Sequence, residues 1–455
     1  MGGIMADQAS GQGYQKVADH PIFTKEVISE YQLPNGFRVL LLPRHQSKLL
    51  TYQTWFSAGS LAEKADKKLK KTGLAHLFEH MMFRGTEKYP DGQFDQKTSE
   101  LGAHRQNATT YFYRTNYYED IPSAQLEKLM ELESDRMAHL KLDRELLERE
   151  KGAVVGELRR LLDSPLRMGY DALLALTFER ALFRYTVIGT EAEIKGFSLE
   201  EGQYFYKTYY APNDATLIIV GDTTESELLP FVMKYYGTMQ RQTVPEIELP
   251  EEPVQKKARV AQITHPQATS DILLLAYPGP AVTDSDYIAL SVLANHLSSG
   301  MEARFRKLLV DKGIAVSTSV EVQSRPNLFQ VHVDLAESHS ASEALKIVEK
   351  ELRALTQKPI PRADFSRAVN QQKLDVYSNV NSNHAVGELL GEYLTLCGNY
   401  MRGFEVIEGY SKVSPKDVLA AAKKYLVPAR KNVVFVLPGQ RPEKAKKLST
   451  KAKKK

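Results

Sequence analysis

Ser198-Leu199-Glu200-Glu201 and Ser414-Pro415-Lys416-Asp417 open two helices with one signal, a hydroxyl cap followed three residues later by an acid. Each helix runs to a tyrosine (Tyr209, Tyr425) and a proline (Pro212, Pro428), and then into an apolar strand, Thr216–Val220 or Val433–Leu437. The corresponding serines, tyrosines and prolines each stand 216 residues apart. At 455 residues the chain is about twice that length, so it reads as two copies of one α+β unit. The joint is Gln242–Lys257, where Pro245, Pro250 and Pro253 mix with glutamates as in a linker. The expected organisation is a loose leader over 1–25, a first repeat over 26–241, a linker over 242–257, a second repeat over 258–440 and a basic disordered tail over 441–455.

The first repeat holds a chemical signature, GLAHLFEHMMFRGT over Gly73–Thr86. His76, Glu79 and His80 spell H-x-x-E-H, the inverted form of a common zinc-peptidase motif. On a helix His76 and His80 share one face, and two neutral imidazoles at that spacing reach one zinc ion. Leu74, Leu77, Phe78, Met81 and Met82 form the opposite, apolar face. No Lys or Arg falls between Gly73 and Phe83, so the helix is expected to be buried nearly all round. Buried histidines and a carboxylate need partners, and a metal supplies them. The plainer reading is a pair of hydrogen-bonded core histidines beside a surface glutamate.

The repeat offset carries His80 to His296, but His76 and Glu79 map to Val292 and Asn295. The second copy is therefore expected to lack a metal, with His296 a packed or surface histidine. A catalytic zinc takes three protein ligands beside water. The helix expected over Arg144–Leu162, with Asp143 as its N-cap, offers Glu150 and Glu157 on one face. They lie about 10 Å apart at 1.5 Å rise per residue. One can touch the metal while the other supports a ligand histidine; spacing leaves open which. Other expected elements are strands over Phe37–Leu42, Thr51–Ala58 and Asn107–Tyr118, a charged loop over Lys64–Lys71 and a helix over Gln125–His139.

Composition narrows the class. With 42% hydrophobic and 25% charged residues the chain is ordinary globular protein. Much of the small net charge of +4 sits in the C-terminal lysines, and nothing else points to nucleic acid. Cys397 is the only cysteine, which excludes an intrachain disulfide and a thiolate zinc cluster. No apolar run reaches the length of a membrane span. MGGIMADQASGQG lacks the basic and apolar regions of a signal peptide. The chain is then cytoplasmic, or the mature form of a chain exported to the periplasm or cell envelope.

GSLAEKADKKLKKTGLAHLFEHMMFRGT, then GAHRQNATTYFYRTNYYEDIP, then EREKGAVVGELRR resemble, in order and spacing, the pitrilysin and mitochondrial processing peptidase family of zinc peptidases. The likeness is greatest to the small bacterial members with two repeats in one chain, and it runs from about Tyr31 to Gly439. It implies the processing-peptidase-like metallohydrolase fold and one Zn2+ per chain, bound by His76, His80 and Glu157. It makes Glu150 the supporting glutamate. Glu79 becomes the general base that takes a proton from the attacking water and delivers it to the leaving amine. It reads Gly102–Asn107 as an edge strand to which a peptide adds, with Gly102, Ala103, Asn107 and Ala108 at the substrate.

Two departures from the family pattern stand out. Tyr113 occupies a place where an acid is frequent. In the second repeat, Leu309 and Val316 replace an Arg and a Tyr that contact substrate and stabilise the oxyanion. Arg304 and Arg306 are near but off register, and read as surface or salt-bridging residues. The resemblance then implies the zinc-bearing half of a heterodimer whose homologous partner supplies the Arg/Tyr pair, or alternatively a homodimer. The competing class is a non-catalytic core subunit of a processing-peptidase-like complex. Such subunits usually lose part of the motif, whereas His76, Glu79, His80, Glu150 and Glu157 are all present here.

Overall fold

The computed structural model describes residues 13–439. Among these residues, twelve strands form two sheets. The first holds β1 (Gln15–Pro21), β2 (Val27–Gln32), β3 (Arg38–Pro43), β4 (Leu49–Phe56), β5 (His104–Thr110), β6 (Thr115–Pro122) and β7 (Ala215–Gly221). Their order is β1-β2-β3-β7-β4-β6-β5. The second sheet is built from β8 (Arg259–His265), β9 (Ile272–Pro278), β10 (Ala315–Gln323), β11 (Leu328–Leu335) and β12 (Asn432–Pro438), in the order β10-β11-β9-β12-β8. With the β1–β2 hairpin set aside, β3-β7-β4-β6-β5 repeats as β8-β12-β9-β11-β10. The pairs β3–β7 and β8–β12 are parallel and every other pair is antiparallel. The duplicated sequence thus folds as a duplicated mixed sheet flanked by helices.

Both helices that revealed the repeat are capped as their sequences require. Ser198 and Glu201 exchange hydrogen bonds at the start of Leu199–Tyr209, and Ser414 and Asp417 do so at the start of Pro415–Tyr425. The strand that follows the first of them, β7, is buried along its whole length, as a strand covered on both faces must be.

The compact units do not follow the order of the repeats. Among the described residues, one unit runs up to Val155 and takes in Thr186–Glu248 and Asn379–Phe404; the other takes in Gly156–Tyr185, Leu249–Ser378 and the chain from Glu405 to Gly439. A helix of the second repeat, Asn383–Cys397, packs on β4 and β7 of the first sheet. Its Gly387 and Gly391 lie so close to Gln53 and Trp55 that a Cβ would fall on those side chains. Conversely, Pro165–Thr177 packs on β8, β9 and β12, with Gly169 against Val436 and Leu274. Residues 242–256 carry no regular structure.

Three expectations change. Asn107–Tyr118 is not one strand but the end of β5, a turn and the start of β6, closed by the Tyr111 N–H donating to the Arg114 carbonyl at 2.8 Å. The run lacks Gly and Pro because the turn is shaped from below: a Cβ on Gly59 would fall on the Tyr111 carbonyl oxygen. Within the expected leader, Gln15–Pro21 pairs with β2. Lys64 ends up in a short helix, Ser60–Ala65, rather than in a loop. The basic tail lies outside the described residues.

Candidate metal centre and edge strand

The motif forms the helix Leu74–Met81. Eight residues make a marginal helix on their own. Leu74, Leu77, Phe78, Met81 and Met82 are each 0–1% exposed, and at ~1.5–3 kcal/mol per buried side chain that contributes on the order of 10 kcal/mol gross. Packing therefore decides the helix, and its N-terminus is anchored as well. Glu63 is fully buried and its carboxylate accepts from the N–H groups of Gly73 (2.8 Å), Leu74 (2.5 Å) and Ala75 (3.0 Å). These are donors that a helix leaves unpaired. Burial pushes the Glu63 carboxyl up to about 8, against the pull of those three bonds. Gly73 itself has φ +102 and lies on the Ile188 carbonyl, where a Cβ cannot fit.

The other face of this helix is half-open rather than buried, which corrects the expectation of burial all round: His76, Glu79 and His80 are each partly exposed. The two imidazoles meet edge to face at 4.9 Å between ring centres. Glu157, on the helix Arg144–Leu162, joins them. One ligand atom from each of His76, His80 and Glu157 lies within 4.8 Å of the others. Two imidazole nitrogens and a carboxylate oxygen are the donor types and number of a catalytic zinc site with one open position, so the residues fit the ion.

Glu150 sits two turns earlier on that helix, buried, with Oε2 3.7 Å from His80 Nδ1. Burial works to raise its pKa, but the His80 imidazole and the Arg84 guanidinium prevail and hold it below the usual range. Arg84 Nε is 3.0 Å and Arg149 Nε 3.3 Å from Glu150 Oε1, and both arginines reach Asp91. A carboxylate facing Nδ1 orients the ring so that Nε2 turns to a metal. Glu79 Oε2 accepts a 2.6 Å hydrogen bond from the Thr110 hydroxyl. Glu63, Arg84 and Thr110 went unnoticed in the sequence. Arg84 lies past the end of the motif helix, and its pairing with Glu150 leaves no periodic trace in the sequence.

Thr110 is the last residue of β5, which is the outer strand of its sheet. The expected substrate strand, Gly102–Asn107, is shifted: Gly102 (φ +76) and Ala103 precede the strand, and pairing with β6 breaks between His104 and Asn107. Asn107 is exposed opposite Tyr118, and Ala108 is buried opposite Tyr117. Tyr113 donates to Glu392, and Arg114 Nε lies 3.2 Å from the same carboxylate. The tyrosine at position 113 is thus held by an acid of the helix Asn383–Cys397.

In the second unit, Leu309 is fully buried and Val316 is 69% exposed on β10. Arg304 pairs with Glu351 and Arg306 with Asp311. His296 is buried, which lowers its pKa to about 4, and Asn295 donates to Gln372. Among the described residues no helix is long and apolar enough to cross a membrane.

Residues 38–191 match the family model described as insulinase (peptidase family M16), and residues 196–372 match that of the peptidase M16 inactive domain. The chain is 26% identical over 415 residues to the zinc protease PqqE of Helicobacter pylori, covering 89% of this chain and 92% of that one. It is 22% identical over 406 residues to a probable mitochondrial-processing peptidase subunit beta of Arabidopsis thaliana, covering 87% and 75%. In fold it is similar to the crystal structure of a protease from Helicobacter pylori, with a TM-score of 0.85, 24% identity and coverage of 90% and 99%. A peptidase M16 inactive domain from Pseudomonas fluorescens follows at 0.81, with 17% identity and coverage of 91% and 99%. The duplicated sheet, the order of the motifs and these matches agree: the chain belongs to the M16 peptidase family, the family of pitrilysin and the mitochondrial processing peptidases.

Proposed function

We propose that the chain is a zinc-dependent endopeptidase acting on short or unfolded peptides. The observation that carries this reading is the convergence of His76, His80 and Glu157 on the face of the helix that also presents Glu79. His76, His80 and Glu157 would hold the ion. When bound, zinc polarises a peptide carbonyl and lowers the pKa of water. Glu79 takes the proton from the attacking water and hands it to the leaving amine, with Thr110 fixing its carboxylate. Glu150 orients His80. The peptide lies along β5 as an added strand, where main-chain bonds give affinity with little demand on sequence. The names of relatives as zinc proteases support the reading.

Leu309 and Val316 cannot donate a hydrogen bond to an oxyanion. The catalytic form is therefore a heterodimer with a homologous chain that supplies an Arg/Tyr pair, a homodimer being the alternative. Relatives named as beta subunits support it. The second reading is a non-catalytic subunit, favoured by the same two residues.

The test measures zinc and cleavage of an unfolded peptide on one preparation. Glu79→Gln is expected to keep one zinc per chain and to lose at least ~100-fold in rate, the scale of a general base. A chain that binds no zinc sinks the proposal. A zinc-loaded chain that stays inert with every homologous partner leaves the non-catalytic reading. Full activity alone, unchanged by a partner, removes the heterodimer.

A further inference from the structure

The edge strand starts at the mouth of a cavity. From His104 to Thr110, at about 3.4 Å per residue, β5 spans roughly 20 Å. Its Thr110 end touches Glu79. Its His104 end borders a cavity of about 650 Å3, lined among others by Glu26, Arg44, His104, Arg105, Asp120 and His384.

The charges there are unevenly shared. Arg44 is committed: its guanidinium donates twice to Glu26 at 2.8 Å and once to the Val380 carbonyl at 3.2 Å. The remaining basic side chains crowd on one acid. Arg105 Nε lies 3.5 Å and His104 Nε2 3.8 Å from Asp120 Oδ2, and His384 Nδ1 lies 3.4 Å from Oδ1. His384 Nδ1 is a buried atom without a hydrogen bond, and native interiors leave such a group unpaired only where something else satisfies it. One carboxylate thus faces a guanidinium and two imidazoles at loose distances. The first turn of Asn383–Cys397 adds the positive end of a helix to the same wall, through Ser382 and Asn383. Arg105 owes its direction to the strand: it has φ +54 at the break in the β5–β6 register, and bulges re-aim side chains in this way.

The geometry points to a carboxylate subsite for the substrate at the start of β5, formed by Arg105, His104 and His384. It rests on the reading that peptides lie along this strand. A peptide with one residue at Glu79 extends to the cavity some four to six residues away, at the strand rise of about 3.4 Å. The carboxylate is either that of an Asp or Glu side chain or the free C-terminus of a short peptide.

The test is binding of labelled unfolded peptides to the Glu79→Gln chain, followed by fluorescence anisotropy. One peptide is neutral and amidated, a set carries a single Asp walked along its length, and one has a free C-terminus. At least one acidic version is expected to bind roughly tenfold more tightly than the neutral one, with the advantage shrinking as salt rises. A preference for the walked Asp assigns a side chain; a preference for the free end assigns the terminus. Arg105→Gly, which keeps the backbone angle, combined with His384→Gln is expected to erase the preference. Binding of acidic and neutral peptides within twofold by the otherwise unaltered chain overturns the subsite, as does a preference that survives in the double variant. Cleavage of the neutral peptide by the wild-type chain, alone and with homologous partner chains, is scored separately. Cleavage without acid preference sinks the subsite alone, and acid preference without cleavage sinks the peptidase reading alone.

Discussion

A hydroxyl 2.6 Å from a carboxylate fixes how that carboxylate is turned. Thr110 does this to Glu79, and it does so from the end of the strand on which substrate is proposed to lie. Thr110→Val keeps the shape and the strand preference but removes the donor. It is expected to lower kcat roughly 10–100-fold, the usual scale for outer hydrogen-bond partners of a site, with zinc content and KM unchanged and with Thr110→Ser restoring the rate. Equal losses in KM and kcat would show that the residue only shapes the strand. A second residue acts on stability. Burial pushes the Asp214 carboxyl up to about 8 from its ordinary 3.8. The folded chain keeps that proton to about pH 8, whereas the unfolded chain releases it near 3.8. Its contribution is therefore complete below 3.8 and is lost as pH rises towards 8, at no more than about 1.4 kcal/mol per unit. Urea midpoints of the wild type are expected to fall between about pH 5.5 and 8, and those of Asp214→Asn to fall less. Of the residues of the proposed site, His76, Glu79 and His80 are legible from their spacing on one helix; spacing also sets Glu150 and Glu157 on one face of another, but only the family resemblance assigns a role to each. Thr110 and Glu63 were not legible, since a hydrogen bond across 31 residues of chain, or an acid capping a later helix, leaves no period in the sequence.

At the scale of the element, the motif helix is held at both its face and its end. Glu63→Gln would set an amide N–H2 against one of the three N–H groups that its carboxylate now accepts. The expected cost is ~1–3 kcal/mol, that of a buried polar group left unpaired, read from denaturation of the metal-free chain. Unchanged stability would mean that the apolar face alone sets the helix. Helices were easier to foresee than strands here. Arg144–Leu162 appears with the expected bounds because Asp143 accepts from the Leu146 N–H at one end and Ser164-Pro165 starts a new helix at the other. The β5–β6 turn was hidden, because the glycine that makes room for it, Gly59, stands some fifty residues upstream. Gln15–Pro21 is hidden within the expected leader because its exposed, polar edge strand has no apolar face to betray it.

At the scale of the molecule, the duplication was legible from capped helices and prolines at a constant offset, and apart from β1 and β2 the two sheets repeat it in strand order. The assignment of helices to sheets was not, since amphipathic periodicity says that a helix has a partner without saying which. The consequence is testable at the linker. Residues 1–248 expressed alone lack Asn383–Cys397 and would expose the faces of β4 and β7 that it covers. They are expected to aggregate, whereas the two halves coexpressed are expected to purify together. A soluble, cooperatively melting first half would show that this helix is dispensable.

The same helix sets an order in time. During synthesis the strands of the first sheet leave the ribosome long before residues 383–397 exist. At ~5–20 residues per second the wait is on the order of ten seconds or more. For that interval Trp55 and its neighbours on β4 lack the helix that closes over them. The nascent first half is therefore expected to be a natural client for a holding chaperone.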